Sequence, residues 1–208
     1  MKRVLDLIIA FALLILIFPV LLIISVLIKF SSRGPIFFIQ KRIGKDMKEF
    51  DMYKFRTMIV DAEKIGTGLF SYQDDPRVTF LGKILRKLSL DELPQLINII
   101  KGDMSCVGPR PAVTYELGNI DDFSENLKQR FSILPGVTGH AQINGRNDLS
   151  WEEKISLDLE YIKIYKKKGV MIDLKIILIT LYKIISMEGS YEKKSNFHKD
   201  KSLQNNND

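Results

Sequence analysis

The hydrophobic pattern of this chain changes period along its length. Residues 7–28 are apolar almost without interruption, with Ser25 as the one conventionally polar side chain. At about 1.5 Å of helical rise per residue, such a run reaches across a hydrocarbon core of roughly 30 Å, so it reads as a membrane segment. It is longer than the core of a secretory signal, and no small-x-small cleavage site follows Ile28. Pro19, in its middle, lacks the N–H that a helix interior uses and costs a straight helix on the order of 3 kcal/mol, which predicts a kink. Lys2 and Arg3 precede the run and Lys29 and Arg33 follow it. Positive charge at both ends gives a spanning helix no orientation and suits a hairpin with both ends on one side. On this pattern alone, spanning and re-entrant arrangements both stand.

After the apolar run the pattern shortens. Residues 35–58 hold two short apolar or alternating stretches around Arg42-Ile43-Gly44-Lys45, which predicts a hairpin of strands. Residues 61–76 carry glycines and charges with weak periodicity, expected as a loop or short helix. Residues 78–88 are apolar at helical spacing, with Lys83, Arg86 and Lys87 on the other face, and 93–100 continue as an amphipathic helix stopped by Gly102. A strand over 104–107, a polar helix over 121–131 and a glycine-rich stretch over 134–147 follow. That stretch matches neither the P-loop nor the dinucleotide fingerprint. Ser150 and Glu153 form a capping-box pattern opening a helix that ends in Lys166-Lys167-Lys168-Gly169. Residues 172–187 predict a further helix, apolar over much of its surface but carrying Lys175 and Lys183. It suits the headgroup plane of a membrane, with a core helix whose lysines snorkel as the alternative. The whole predicts an α+β protein: a membrane segment over 1–33, one folded domain over 34–188, and a polar, disordered tail over 189–208.

Composition narrows the chemistry. In 208 residues, 31 Lys and Arg exceed 25 Asp and Glu, for a net charge of +6, which favours a negatively charged partner: nucleic acid, an anionic membrane surface or a phosphorylated substrate. The single Cys106 excludes an internal disulfide framework. His140, His198 and Cys106 have no zinc-site spacing, so a metal, if used, is Mg²⁺ or a similar ion held by carboxylates and substrate phosphates. Nor does a nucleophile-elbow pattern accompany His140 to support a Ser-His-Asp triad.

The most informative stretch is Arg86-Lys87-Leu88-Ser89-Leu90-Asp91-Glu92-Leu93-Pro94, where two adjacent carboxylates follow cationic residues. Ser89 and Glu92 have capping-box spacing, which would set Asp91 in a first helical turn, where free N–H groups and the dipole favour anions. A phosphoryl group bound there would meet the Asp91 carboxylate. Downstream, Gly108-Pro109-Arg110-Pro111 holds a guanidinium between two prolines at low entropic cost.

Together with Pro19, the blocks Tyr53-Lys54-Phe55-Arg56-Thr57-Met58, Ser89-Leu90-Asp91-Glu92-Leu93-Pro94-Gln95, Lys101-Gly102-Asp103-Met104-Ser105, Val107-Gly108-Pro109-Arg110-Pro111, Pro135-Gly136-Val137-Thr138-Gly139 and Ala141-Gln142-Ile143-Asn144-Gly145-Arg146-Asn147 closely resemble the bacterial sugar transferases, the monotopic phosphoglycosyl transferases. The resemblance covers residues 2–188 and is to the small form of the family. It implies transfer of a sugar 1-phosphate from a UDP-sugar to polyprenyl phosphate, releasing UMP and initiating a surface glycan. Asp91 would be the nucleophile that carries a covalent phosphosugar, and Glu92 would help position Mg²⁺ or the acceptor, so both become candidate metal ligands. Arg56, Arg86, Arg110, Arg146 and Asp158 become candidate substrate-binding residues. The resemblance further implies that the Pro19 segment is a re-entrant hairpin. The domain would then sit on the cytoplasmic face of the bacterial cytoplasmic membrane, with inner-membrane lipids as partners and no nucleic acid. His140 departs from the tryptophan common at that position in relatives. The competing reading is a membrane glycosyltransferase or phosphohydrolase without a covalent intermediate; a glycosyltransferase would release UDP instead of UMP.

Overall fold

The computed structural model describes residues 1–65, 75–113, 123–145 and 148–186. Its first element, helix α1 (Lys2–Ser31), contains the whole apolar run. Two strands, β1 (Phe37–Ile43) and β2 (Glu49–Phe55), form the expected hairpin, pairing antiparallel from Phe37↔Phe55 to Ile43↔Glu49. Next come α2 (Phe80–Lys87), α3 (Gln95–Lys101) and the strands β3 (Ser105–Val107) and β4 (Ala112–Val113). The chain continues through α4 (Glu125–Arg130), β5 (Gly136–Thr138), α5 (His140–Asn144), α6 (Trp151–Lys168) and α7 (Val170–Ile185). The strands form two small sheets, an antiparallel one ordered β2-β1-β4 and a parallel pair β3-β5. Mixed helix and sheet agrees with the α+β expectation. At α6 the capping box is realised, Ser150 Oγ accepting from Glu153 N and Glu153 from Ser150 N. The expected polar tail lies outside the described residues.

Helix α1 runs unbroken through Pro19. The ring deprives one carbonyl of its intrahelical donor, and long apolar turns on either side keep the helix propagating, so helical conformation is continuous across the position where the kink is expected. Both ends of α1 are fastened to the same body. Near the start, Asp6 is buried and accepts from Ser105 Oγ (2.8 Å) and Cys106 N (3.0 Å). Lys2 pairs with buried Asp173 at 2.6 Å, and the Tyr161 hydroxyl donates to that same carboxylate at 2.6 Å. Arg3 donates to the carbonyls of Ile99 (2.5 Å) and Ile100 (3.1 Å) at the end of α3, the Ile99 carbonyl also accepting from Gly102 N. At the other end Arg56 donates to Ser32 O (2.8 Å) and Ser32 Oγ (2.9 Å).

Between those anchors α1 shares two clusters with the domain. Ala10 packs with Leu96, Ile99, Met104, Val107, Tyr161 and Ile176. Ile24 and Ile28 pack with Phe55 and Leu85. Its remaining surface is bare: Ile15 and Leu16 are each 75% exposed and Phe30 86%. An apolar surface of that extent is costly in water and suits lipid. On α7, Met171, Leu178, Tyr182 and Ile185 are likewise exposed, while Ile172, Asp173 and Ile176 face the core.

Helix α2 is held on the segment after β2 by contact between backbones. Thr79 caps α2, its Oγ1 accepting from Gly82 N, and a Cβ added at Gly82 would lie 2.0 Å from the Thr57 carbonyl oxygen. Helix propensity alone favours Gly82→Ala by about 1 kcal/mol, but the displaced packing should reverse the sign, giving a net loss of about 2 kcal/mol. Denaturation of the detergent-solubilised variant measures it, and a melting temperature at or above wild type would refute the close approach.

Candidate active site

Between α2 and α3 the chain makes one tight turn, and that turn holds the carboxylate pair. The capping box expected at Ser89 does not form. Ser89 adopts the left-handed conformation (φ 56°), makes no side-chain cap bond, and leads into a 3₁₀ turn, Leu90–Glu92. Pro94 is the reason. A helix begun at residue 90 would need an N–H from residue 94, and proline has none. The Leu90 carbonyl accepts instead from Leu93 N (3.3 Å), and regular helix starts only at Gln95. Asp91 therefore sits at no helix N-terminus, and any stabilisation of a phosphate beside it comes from side-chain cations.

Three elements supply those cations. Phe50, Met52 and Lys54 share one face of β2 by the two-residue period of a strand, and Met52 is buried. The Lys54 stem follows Met52 inward, bringing its Nζ to 3.0 Å from Glu92 Oε1. Arg110 Nη2 reaches the same oxygen at 2.9 Å. Arg86, in the last turn of α2, donates its Nε to Thr57 Oγ1 (2.8 Å) and adds its charge to the field at Asp91. Glu92 is thus a shared acceptor that draws two cations together beside Asp91. Lys54 is a member of this cluster that the motif reading did not single out; its signal was a lysine at a core-facing strand position.

Burial, the largest influence, pushes the Asp91 carboxyl above its ordinary value, and Glu92 pushes the same way, while Lys54, Arg86 and Arg110 oppose them. Burial likewise lowers Lys54, opposed chiefly by Glu92. Cations close by a partly desolvated carboxylate form an arrangement suited to a group that must lose water before it attacks.

The Arg110 loop is rigid, as its two prolines suggested. Gly108 N donates to Thr138 O and Gly136 N to Pro109 O, both at 2.9 Å, tying the loop to β5. A Cβ at Gly108 would meet the Leu134 carbonyl oxygen at 2.4 Å, so only glycine permits that approach.

The other expected substrate contacts are used differently. Arg56 is buried and directed at the end of α1 through Ser32, away from the carboxylate pair. Asp158, on α6, is 1% exposed and accepts from Arg130 Nε at 2.7 Å. Arg146 lies outside the described residues. His140 Nε2 is 3.5 Å from Glu160. As for a metal, no group of three or more His, Cys, Asp or Glu able to hold an ion occurs among the described residues. Glu92 already serves two cations, which disfavours it as a ligand, whereas Asp91 fits an ion that binds through one carboxylate and brings phosphate oxygens and waters with it.

Comparison with known proteins agrees with this chemistry. Residues 1–187 match the family described as bacterial sugar transferase. The chain is 41% identical over 205 residues to the exopolysaccharide production protein ExoY of Sinorhizobium fredii, covering 91% of this chain and 88% of ExoY. To the sugar transferase EpsL of Bacillus subtilis it is 40% identical over 189 residues, covering 91% and 89%. It is also 40% identical over 197 residues to the UDP-glucose:undecaprenyl-phosphate glucose-1-phosphate transferase of Escherichia coli, covering 92% of this chain and 41% of that protein.

The raised Asp91 carboxyl predicts a pH profile. If the ionised form is required, activity falls as pH drops through that elevated pKa, so the acid limb of kcat/KM should lie above the ordinary aspartate value of 3.8. Removing a cation that holds Asp91 down moves the limb further up; Lys54→Gln should shift it upward and lower kcat/KM on the order of a hundredfold. A limb below 3.8, or one unmoved in Lys54→Gln, would contradict this account.

Proposed function

Because this chain belongs to the bacterial sugar transferase family, we propose that it is a phosphoglycosyl transferase that moves a sugar 1-phosphate from a UDP-sugar to polyprenyl phosphate, initiating a surface glycan. The observation that carries this reading is the gathering of Lys54, Arg86 and Arg110 around the Asp91–Glu92 carboxylates, with Lys54 and Arg110 paired to Glu92 and all three charges acting on Asp91, on a domain that holds both ends of a bare apolar helix. The donor is water-soluble and the acceptor phosphate lies at headgroup level, so the enzyme must offer a phosphate site beside lipid. The printed name of the Escherichia coli relative supports this donor and acceptor class.

In the proposed mechanism an Asp91 carboxylate oxygen attacks the phosphorus bonded to the sugar. The bond from that phosphorus to the UMP oxygen breaks, and UMP leaves with the electron pair. An oxygen of polyprenyl phosphate then attacks the same phosphorus, the bond to Asp91 breaks, and the carboxylate is restored. Splitting one displacement in two suits a carboxylate, which needs no base to be nucleophilic at neutral pH. Lys54, Arg86 and Arg110 offset charge on the phosphoryl oxygens, the main task in phosphoryl transfer. Mg²⁺ arriving on the diphosphate and held by Asp91 would supply further neutralisation.

Helix α1 is read as re-entrant. Thirty residues of straight helix measure about 45 Å, and in a spanning arrangement the two ends would face opposite sides of the bilayer. Here Asp6 and Ser32 both bond to one domain. That supports entry into and exit from one leaflet, with the domain on the cytoplasmic face and the exposed apolar side chains of α7 in the headgroup zone.

Two experiments test these claims. Asp91→Asn keeps the shape of the side chain and removes its charge; it should abolish UMP release from a UDP-sugar, and the wild type should yield a phosphosugar adduct on Asp91 by mass spectrometry when acceptor is withheld. Near-normal turnover in Asp91→Asn would exclude the covalent route, and UDP as the nucleotide product would exclude the reaction class. For topology, single cysteines replacing Lys2 and Arg33 should both be shielded from an impermeant thiol reagent added outside intact cells. Cys106 can remain, because it is buried and its thiol is pushed up to about 12. Labelling of one site from outside and not the other would establish a spanning helix.

A further inference from the structure

The Gly108–Pro109–Arg110–Pro111 loop has each of its last three carbonyls held by a different donor. Pro109 O accepts from Gly136 N (2.9 Å), Arg110 O from Arg130 Nη2 (2.5 Å), and Pro111 O from Arg42 Nη1 (3.0 Å). Two of these donors are arginine side chains brought from remote elements, α4 and β1. Arg130 is 2% exposed and Asp158, its partner on α6, 1%. The pair is one Nε–Oδ2 bond of 2.7 Å, and it leaves Arg130 Nη1 and Asp158 Oδ1 without hydrogen-bond partners.

A buried ion pair with unpaired atoms contributes little net stability, since desolvating both charges offsets their attraction. Its geometry is more telling. Asp158 holds Nε on one edge of the guanidinium, which directs Nη2 at the carbonyl of Arg110. Trp151, at the start of α6, and Phe131, directly after α4, flank that guanidinium at 5.6 Å and 5.5 Å from the ring centroids. The planar fork of arginine meets both acceptors at once; lysine, with one nitrogen, cannot.

We propose that Arg130, set by Asp158, is a positioning residue for the reaction. By holding the Arg110 carbonyl, it fixes the direction in which the Arg110 guanidinium faces Glu92 and the substrate diphosphate. Arg42 does the same for the next peptide unit. The proposal rests on the phosphoglycosyl transferase reading above. It differs from a plain structural role in one respect: the effect of Arg130 travels through Arg110 and through no other group of the site.

The test is a double-mutant cycle on the full-length enzyme in detergent, read by UMP release and by calorimetric binding of UDP with Mg²⁺. Arg130→Lys, which keeps the buried charge, should lower kcat/KM about tenfold, mostly through KM, with a melting temperature near wild type. In an Arg110→Ala background the same substitution should change neither kcat/KM nor UDP affinity further. Arg130→Gln should behave alike if it folds, but the lysine variant decides the matter without it. Multiplying losses in the two backgrounds, or an effect confined to melting temperature, would overturn the positioning role while leaving the proposed reaction intact. A wild-type protein that neither releases UMP nor binds UDP would overturn both.

Discussion

The site depends on one carboxylate oxygen. Glu92 Oε1 accepts from Lys54 at 3.0 Å and from Arg110 at 2.9 Å, and so joins the strand hairpin, the turn between α2 and α3, and the proline-flanked loop. Without that acceptor two cations would repel each other across a partly dry space. With it, they stand together beside Asp91, which burial pushes toward the neutral form and their charge draws back toward the ionised one. The acidic pair is therefore a division of labour. Glu92 assembles the electrostatics, and Asp91 stands beside them with its carboxylate in the place that the proposed mechanism requires.

That assembly is coupled to α1 through two short elements. Along β2, Lys54 reaches Glu92, Phe55 packs under Ile24 and Ile28, and Arg56, directly after the strand, grips Ser32. In α2, Leu85 joins the same cluster while Arg86 bonds Thr57 near the site. Adjacent residues point to α1 and to the carboxylates because strand and helix send neighbouring side chains in different directions. Displacing α1 would thus move the cations as well. At its other end, Asp6, Lys2 and Arg3 make polar bonds to β3, α7 and α3, so an otherwise apolar helix is pinned by its first turns.

Burying charge is costly, and the molecule does it repeatedly. Lys2 with Asp173, Arg77 with Asp75, and Arg130 with Asp158 are largely or fully withdrawn from water. Two of them hold irregular chain in one conformation, and the third joins two helices. Arg77 donates to the carbonyls of Ala62 and Ile65, Arg130 to that of Arg110, and Lys2 fastens the start of α1. Strands of only a few residues and several broken turns leave carbonyls that no ladder satisfies, and arginines supply donors where backbone cannot.

Periodicity and composition alone determined the elements that are continuous in sequence: the apolar helix, the β1–β2 hairpin, α2, the Gly102 stop of α3, the capping box of α6, and the pairing of Asp91 with Glu92. These follow from local spacing and from residues whose backbone preferences are strong. The motifs also carried the family. What tertiary structure alone decided is where charges meet. Ser89 and Glu92 had capping-box spacing, but Pro94 withdrew the donor that the helix needed, and the turn became 3₁₀. Arg56 stood in the same kind of motif as Lys54, two residues apart, yet one holds α1 and the other the site. Asp158 looked like a ligand contact and is paired with Arg130. No local pattern encodes such partners, because a charge is satisfied by whichever opposite group the fold brings within about 3 Å, and that distance is set by elements far apart in the chain.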